Sequence, residues 1–270
     1  MTTKSCIVRG RRISYETYGD GPRVIVLTHG LLMDGRMYVK LAPKLAEAGH
    51  RVITVDMLGH GASEQPYDMT TYSMTQFGSD VIALLDHLDV PQAVIGGTSL
   101  GANVALEAAC ASPSRVRALV LEMPVLEAAL PAAAGAFVPL ALALRAMQPV
   151  MRGLSAITRR IPRSVFAVDI FLDFVRRDPA ASQAVLEGLI FGRVAPPPEM
   201  RRQLHQPALV IGHPKDPIHP FSDADRLAHE LPNAQLLSAH SIAEWRITPK
   251  RLTRALIQFL DDVWSLRAVA

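Results

Sequence analysis

Apolar and polar positions change period in a regular order along the chain. "RRISYETYG" alternates, with β-branched and aromatic residues at strand spacing, while "PRVIVLTHG" is a short, nearly continuous apolar run ending in His-Gly. The second pattern is that of a strand covered on both faces. Tyr38 to Ala48 reads as a helix stopped by Gly49, and "HRVITVDMLGHG" as a second buried strand running into a glycine-rich loop. "MTQFGSDVIALLDHLDV" has helical spacing and is closed by Pro91; "QAVIGG" is the next buried strand, Leu100 to Ala111 the next helix, and "RVRALVLEMP" a further strand. This β-α alternation predicts an α/β fold with a parallel sheet, helices on both faces and right-handed crossovers.

From about Val125 to Leu204 the alternation stops. The segment is rich in Ala, Leu and Arg, is broken by Pro131, Pro139, Pro162, Pro179 and the run Pro196 to Pro198, and carries no convincing strand. Strand periodicity resumes in "PALVIG", followed by a helix near Phe221 to Glu230, the strand "AQLLSAH" and an amphipathic helix from about Pro249 to Leu266. The expected organisation is therefore a sheet domain made of residues 1–124 and 205–270, with residues 125–204 as a helical lid packed on it.

Composition narrows the class. With 270 residues, 49% of them hydrophobic, the chain can bury a large core, which excludes disorder. The net charge of +3 comes with arginines scattered in pairs, not in one stripe, so nucleic acid is not an expected partner. Cys6 and Cys110 lie far apart, which argues for reduced thiols, and "MTTKSCIVRGRRISYE" has no apolar signal core; a cytoplasmic location is expected. Ala128 to Leu144 is uncharged and apolar, yet it is interrupted by two prolines and built of small residues. It reads as a buried or lid helix over a membrane span, and no membrane contact is expected.

The chemistry centres on Ser99 in Gly97-Thr98-Ser99-Leu100-Gly101, a G-x-S-x-G pattern between a buried strand and a helix. A sharp turn there strains the serine backbone, neighbouring glycines relieve the clashes, and the helix N-terminus favours an oxyanion. The Leu100 N–H is the first oxyanion donor expected, and the His29-Gly30 turn presents the Leu31 N–H as the second; His29 itself is read as shaping that loop in preference to acting as a base. A serine needs a base and an orienting acid. His240 follows the last strand at the carboxyl edge of the sheet and is the expected base; Asp216, in "LVIGHPKDPIHP", is the expected acid, with Glu122 at the end of "LVLEMP" as the alternative. His213, Asp216 and His219 could also be read as metal ligands, but no further carboxylate cluster accompanies them, and neither a metal nor a cofactor is expected.

Together these residues resemble the α/β-hydrolase fold family. Gly97 to Gly101 matches its nucleophile elbow, His29-Gly30-Leu31 its oxyanion loop, Asp56 to Ser63 its Asp-x-x-Gly-x-Gly-x-Ser loop, Gly212 to Pro217 its acid loop and Ala239-His240 its histidine loop. The resemblance implies a mostly parallel eight-stranded sheet with a helical cap inserted after the sixth strand. By motif the chain is similar to small esterases, lactonases, carbon–carbon bond hydrolases and cofactor-free perhydrolases, and Ser99 sets it apart from fold relatives that need an aspartate nucleophile. Two departures stand out: no glycine precedes His240, and "GHPKDP" is rich in proline.

The expected activity is cleavage of a small or medium, largely apolar carboxylic ester, thioester or lactone through an acyl-enzyme. The alternatives are a carbon–carbon bond hydrolase or perhydrolase using the same triad, and a ligand-binding module with an incidental triad. Leu32, Phe137, Met147, Phe166 and Phe171 are the candidate pocket residues for a small-molecule substrate.

Overall fold

The computed structural model describes residues 3–162, 166–242 and 244–265. Eight strands among them form one sheet: β1 (Lys4–Val8), β2 (Arg11–Tyr18), β3 (Arg23–Thr28), β4 (His50–Asp56), β5 (Ala93–Thr98), β6 (Val116–Glu122), β7 (Ala208–Gly212) and β8 (Ala234–Ser238). Their spatial order is β1-β2-β4-β3-β5-β6-β7-β8. β1 pairs antiparallel with β2 and β2 antiparallel with β4, and every other pairing is parallel. The alternating sequence of β2 thus belongs near the antiparallel edge, and the unbroken apolar runs of β3, β5, β6 and β7 occupy the centre, buried on both faces.

Helices α1 (Ala42–Glu47), α2 (Met74–His87) and α3 (Leu100–Ala111) connect the central strands. The predicted helix from Tyr38 begins instead with a 3-10 turn over Gly35–Tyr38, and α1 starts at Ala42 with Pro43 in its first turn. α2 is capped by Ser73, whose hydroxyl accepts the Gln76 N–H. α3 is buried along nearly its whole length, and its small alanines let it lie close against the sheet. α2 and α3 pack on one face of the sheet, with Phe77, Leu84, Val104 and Leu106 in the core; on the opposite face, Leu45 of α1 packs near Leu256 and Leu260 of α11 (Lys250–Ser265).

Between β6 and β7 the chain forms α4 (Leu130–Ala146), α5 (Gln148–Thr158), α6 (Phe166–Arg176), α7 (Pro179–Ile190) and α8 (Pro198–Arg201). Asp178 caps α7 by accepting the Ala180 and Ala181 N–H groups. The start of this segment is held by Asp223 in α9 (Phe221–Glu230), whose buried carboxylate accepts the N–H groups of Leu126, Ala128 and Ala129 at 2.8 to 3.1 Å. α10 (Glu244–Ile247) then leads from β8 into α11.

Candidate active site

Ser99 sits between β5 and α3 with φ 55° and ψ −111°, a conformation that L residues rarely adopt. The turn can form because of the residues around it. A Cβ on Gly101 would lie 1.9 Å from the Thr28 carbonyl oxygen, and one on Gly97 would lie 2.4 Å from the same atom. Both flanking glycines are therefore required by close backbone approach. The Ser99 N–H donates to the Glu122 carbonyl (2.8 Å) and its carbonyl accepts the Asn103 N–H, so the residue is held from both sides. As the residue before the first helical position, Ser99 leaves the Leu100 N–H without an intrahelical acceptor.

The histidine that meets Ser99 is not His240, the residue expected. His219 Nε2 lies 2.8 Å from Ser99 Oγ. His240 follows β8, but there the Ala239 N–H continues the ladder to Gly212 and buries Ala239, and the two-residue period of extended chain turns the next side chain outward. The His240 side chain is 75% exposed, its backbone N–H donates to Glu244, and Glu244 is drawn to Arg251. The glycine that the family resemblance implies before this histidine is absent here, where Ala239 stands. The same segment sends Arg246 inward instead.

Asp216 occupies the position expected of the acid. One carboxylate oxygen accepts the Ile218 and His219 N–H groups, each at 2.9 Å, and the other accepts His219 Nδ1–H at 3.0 Å. With the Nδ1 proton held by a carboxylate, Nε2 presents its lone pair to the serine hydroxyl. Burial works against the Asp216 charge, but those N–H donors outweigh it and hold the pKa below the ordinary carboxylate value. Asp216 and His219 thus come from one Asp-x-x-His turn after β7.

Glu122, the alternative acid, has different partners. Its carboxylate accepts from Thr98 Oγ1 (2.5 Å) and from both terminal nitrogens of Arg246, and it faces His213 Nε2 at 3.2 Å. Burial opposes its ionisation, yet Arg246 and His213 overcome that and bring its pKa to about 2. The ion pair therefore braces Thr98, the residue before Ser99. His213, Asp216 and His219, once readable as a metal set, are divided between this brace and Ser99.

The His29-Gly30-Leu31 loop is held by two buried histidines whose pKa values burial lowers. His29 Nδ1–H donates to the Gly30 carbonyl and its Nε2 accepts the Met57 N–H (3.0 Å), so it shapes the loop as expected. His60 Nδ1–H donates to the Leu58 carbonyl and its Nε2 accepts the Leu32 N–H (3.2 Å). Desolvation drives the His60 pKa well below 6.5.

A hollow of about 170 Å³ lies over Ser99 and His219, with Leu31 and Leu100 on its wall. Phe137 lines it as expected, together with Leu130, Ala134 and Leu186. Leu32 does not: it is buried against Ala141, Leu144 and Leu186. Met147 is 48% exposed at the end of α4, away from the hollow. The side chains of Phe166 and Phe171 lie outside the described residues. A larger hollow of about 500 Å³ is lined by Asp34, Arg36, Asp56, Asp173, Arg176 and Arg177; Ser99 and His219 are not part of it.

The α/β hydrolase fold family matches the chain over residues 23–146. Among curated proteins, the 3-hydroxybutyrate-oligomer hydrolase of Cupriavidus necator is 36% identical over 112 residues, which is 41% of this chain and 38% of that protein. An epoxide hydrolase of Caballeronia sordidicola is 27% identical over 221 residues, covering 79% of this chain and 60% of its own. The chain thus spans less than two-thirds of the length of these relatives. Among solved structures, the enol-lactonase of Burkholderia xenovorans LB400 superposes with a TM-score of 0.77 at 22% identity, over 96% of this chain and 100% of the other, a likeness of fold. Sheet order, the turn at Ser99, the family match over residues 23–146 and the structural likeness agree that the chain has the α/β-hydrolase fold.

Proposed function

We propose that the protein is a serine hydrolase that cleaves a small or medium, uncharged carboxylic ester, thioester or lactone through an acyl-enzyme on Ser99. The observation that carries this reading is the 2.8 Å contact between Ser99 Oγ and a His219 ring whose other nitrogen is held by Asp216. In the first half-reaction His219 takes the serine proton as Oγ attacks the carbonyl carbon, then returns it to the leaving alcohol, thiol or lactone oxygen. Water repeats the sequence on the acyl-enzyme and releases the acid. Asp216 stabilises the imidazolium, and the Leu31 and Leu100 amides are the donors for the oxyanion. The helices between β6 and β7, which bring Leu130, Ala134 and Phe137 over Ser99, serve as the cap.

The hollow favours ester cleavage over attack on a charged ring-fission product, because no Lys or Arg side chain lines it among the described residues. Three variants test the assignment against a short-chain activated ester. Ser99→Ala and His219→Ala should each lower kcat/KM by roughly 10³- to 10⁶-fold with folding retained. His240→Ala should stay within about twofold of the parent, as an exposed substitution away from the site does. Full activity in His219→Ala with loss in His240→Ala would return the base role to the loop after β8. Failure of a fluorophosphonate to label Ser99 in the parent protein would overturn the hydrolase reading itself.

A further inference from the structure

Arg177 lies outside the Ser99 constellation yet touches both loops that shape the Leu31 amide. It is carried by the helical segment, in the short link between α6 and α7, and its guanidinium reaches out of that segment. One terminal nitrogen donates to the Met33 carbonyl at 3.2 Å and the other to the Gly59 carbonyl, while Nε donates to Ser182 Oγ at 3.4 Å. Met33 is two residues beyond Leu31, and its own N–H closes a turn on the Gly30 carbonyl (3.0 Å). Gly59 immediately precedes His60, the acceptor of the Leu32 N–H. One planar cation therefore spans the oxyanion loop and the loop that pins it.

The turn needs such pinning. Leu32 has φ 55°, a left-handed conformation that disfavours a leucine and persists only where its surroundings over-determine it. His60 holds its N–H, the Gly30–Met33 bond holds the turn, and Arg177 holds the carbonyl that follows. Burial lowers the Arg177 pKa to about 10, against the pull of Asp34 and Asp56, so the group remains a cation at neutral pH. The carboxylates of Asp34, Asp56 and Asp173 attract it without accepting a hydrogen bond from it among the described residues; its hydrogen bonds go to two backbone carbonyls and a hydroxyl. That is the bonding of a positional clamp, since a fork of donors fixes two acceptors relative to each other.

We infer that Arg177 is a positioning residue that sets the Leu31 amide for the oxyanion and makes its placement depend on the docked helical segment. The inference rests on the serine-hydrolase reading above. It separates two effects usually merged in a cap: covering the substrate, and completing the core's own catalytic geometry.

The 500 Å³ polar hollow borders Arg177 and offers a small cation a route to its place, so Arg177→Ala can be tested for rescue by guanidinium ion. In Arg177→Ala, kcat for a neutral ester should fall about 10- to 100-fold with KM within about threefold, the pattern of a misplaced transition-state donor. Guanidinium at tens of millimolar should restore part of kcat, sodium at equal ionic strength should not, and affinity for a boronic acid analogue should fall in parallel with kcat/KM. Arg177→Lys, which keeps the charge but loses the fork, should resemble Arg177→Ala, and it carries the test if the alanine variant does not fold. Normal fluorophosphonate labelling of Ser99 with unchanged kcat in either variant would overturn the inference alone. So would a loss that guanidinium does not relieve and that leaves boronic acid affinity intact. No labelling in the parent protein would overturn the hydrolase reading and the clamp with it.

Discussion

The Ser99 backbone holds φ 55° in a chain whose other constraints leave it nowhere else to go. A conformation of this kind costs on the order of 1–3 kcal/mol, which neighbouring hydrogen bonds and close packing must offset. Gly101 is the clearest part of that compensation, because β3 and α3 approach so closely that the Thr28 carbonyl occupies the place of any side chain. Gly101→Ala should therefore destabilise the protein by at least about 3 kcal/mol, at or above the upper end of ordinary overpacking, since backbone must move to make room. Gly135 in α4 is the control: a Cβ there meets nothing within 4 Å, and Gly135→Ala should be neutral or stabilising by about 0.5–1 kcal/mol from helix propensity alone. Urea denaturation of the two variants decides the point, and equal midpoints would show that the elbow tolerates far more relaxation than its geometry implies.

At the level of elements, the site is a set of loops at the carboxyl ends of strands, each held by a buried group away from the Ser99 hydroxyl. His60 illustrates the energetic consequence. It is neutral in the folded protein with a pKa well below 6.5, whereas the unfolded chain binds a proton near 6.5. Its contribution is then fully present above about pH 6.5 and is lost as pH falls below it, at up to about 1.4 kcal/mol per pH unit. His60→Gln should flatten the decline of unfolding free energy between pH 6.5 and 5 by that amount, and an unaltered slope would mean the folded state accepts the proton. The same loops show what was legible in the chain. Strand runs, the strained turn at Ser99, the His29-Gly30 turn and the Asp216 loop follow from local periodicity and short motifs, because each is specified within a few residues. The histidine that reaches Ser99 was not, because His219 and His240 both lie in loops at one sheet edge and the choice depends on which side chain turns inward. Ala239, buried by one more ladder bond, settles that choice, while the Asp216-x-x-His219 turn lets one carboxylate cap its own loop and hold the ring.

The whole molecule determines what Ser99 can meet, because the hollow above it belongs neither to the sheet domain nor to the helical segment alone. α3 supplies Leu100 and Asn103, α4 supplies Leu130, Ala134 and Phe137, and α7 supplies Leu186. Asn103 looks like a polar anchor, but its side-chain amide donates to the Val125 and Val194 carbonyls and its oxygen accepts the Val125 N–H, so it ties the two parts together and has little left for a ligand. On the proposed acyl-enzyme reading, an acyl group entering here would exchange water for apolar wall, and a volume of about 170 Å³ is small beside the roughly 300–1,000 Å³ of sites for drug-sized ligands. With the alcohol held constant, kcat/KM should rise about fourfold for each added methylene, the equivalent of about 0.8 kcal/mol, and then level off once a short chain fills the space. A terminal carboxylate on the same chain should cost at least about 100-fold, since a buried unpaired charge loses its hydration without compensation. Ala134→Phe should move the plateau to shorter chains and Phe137→Ala to longer ones, with acetyl ester turnover changed least. A series that is flat in chain length, or one shifted equally by both substitutions, would place the acyl group outside this hollow and leave the helical segment without a part in substrate choice.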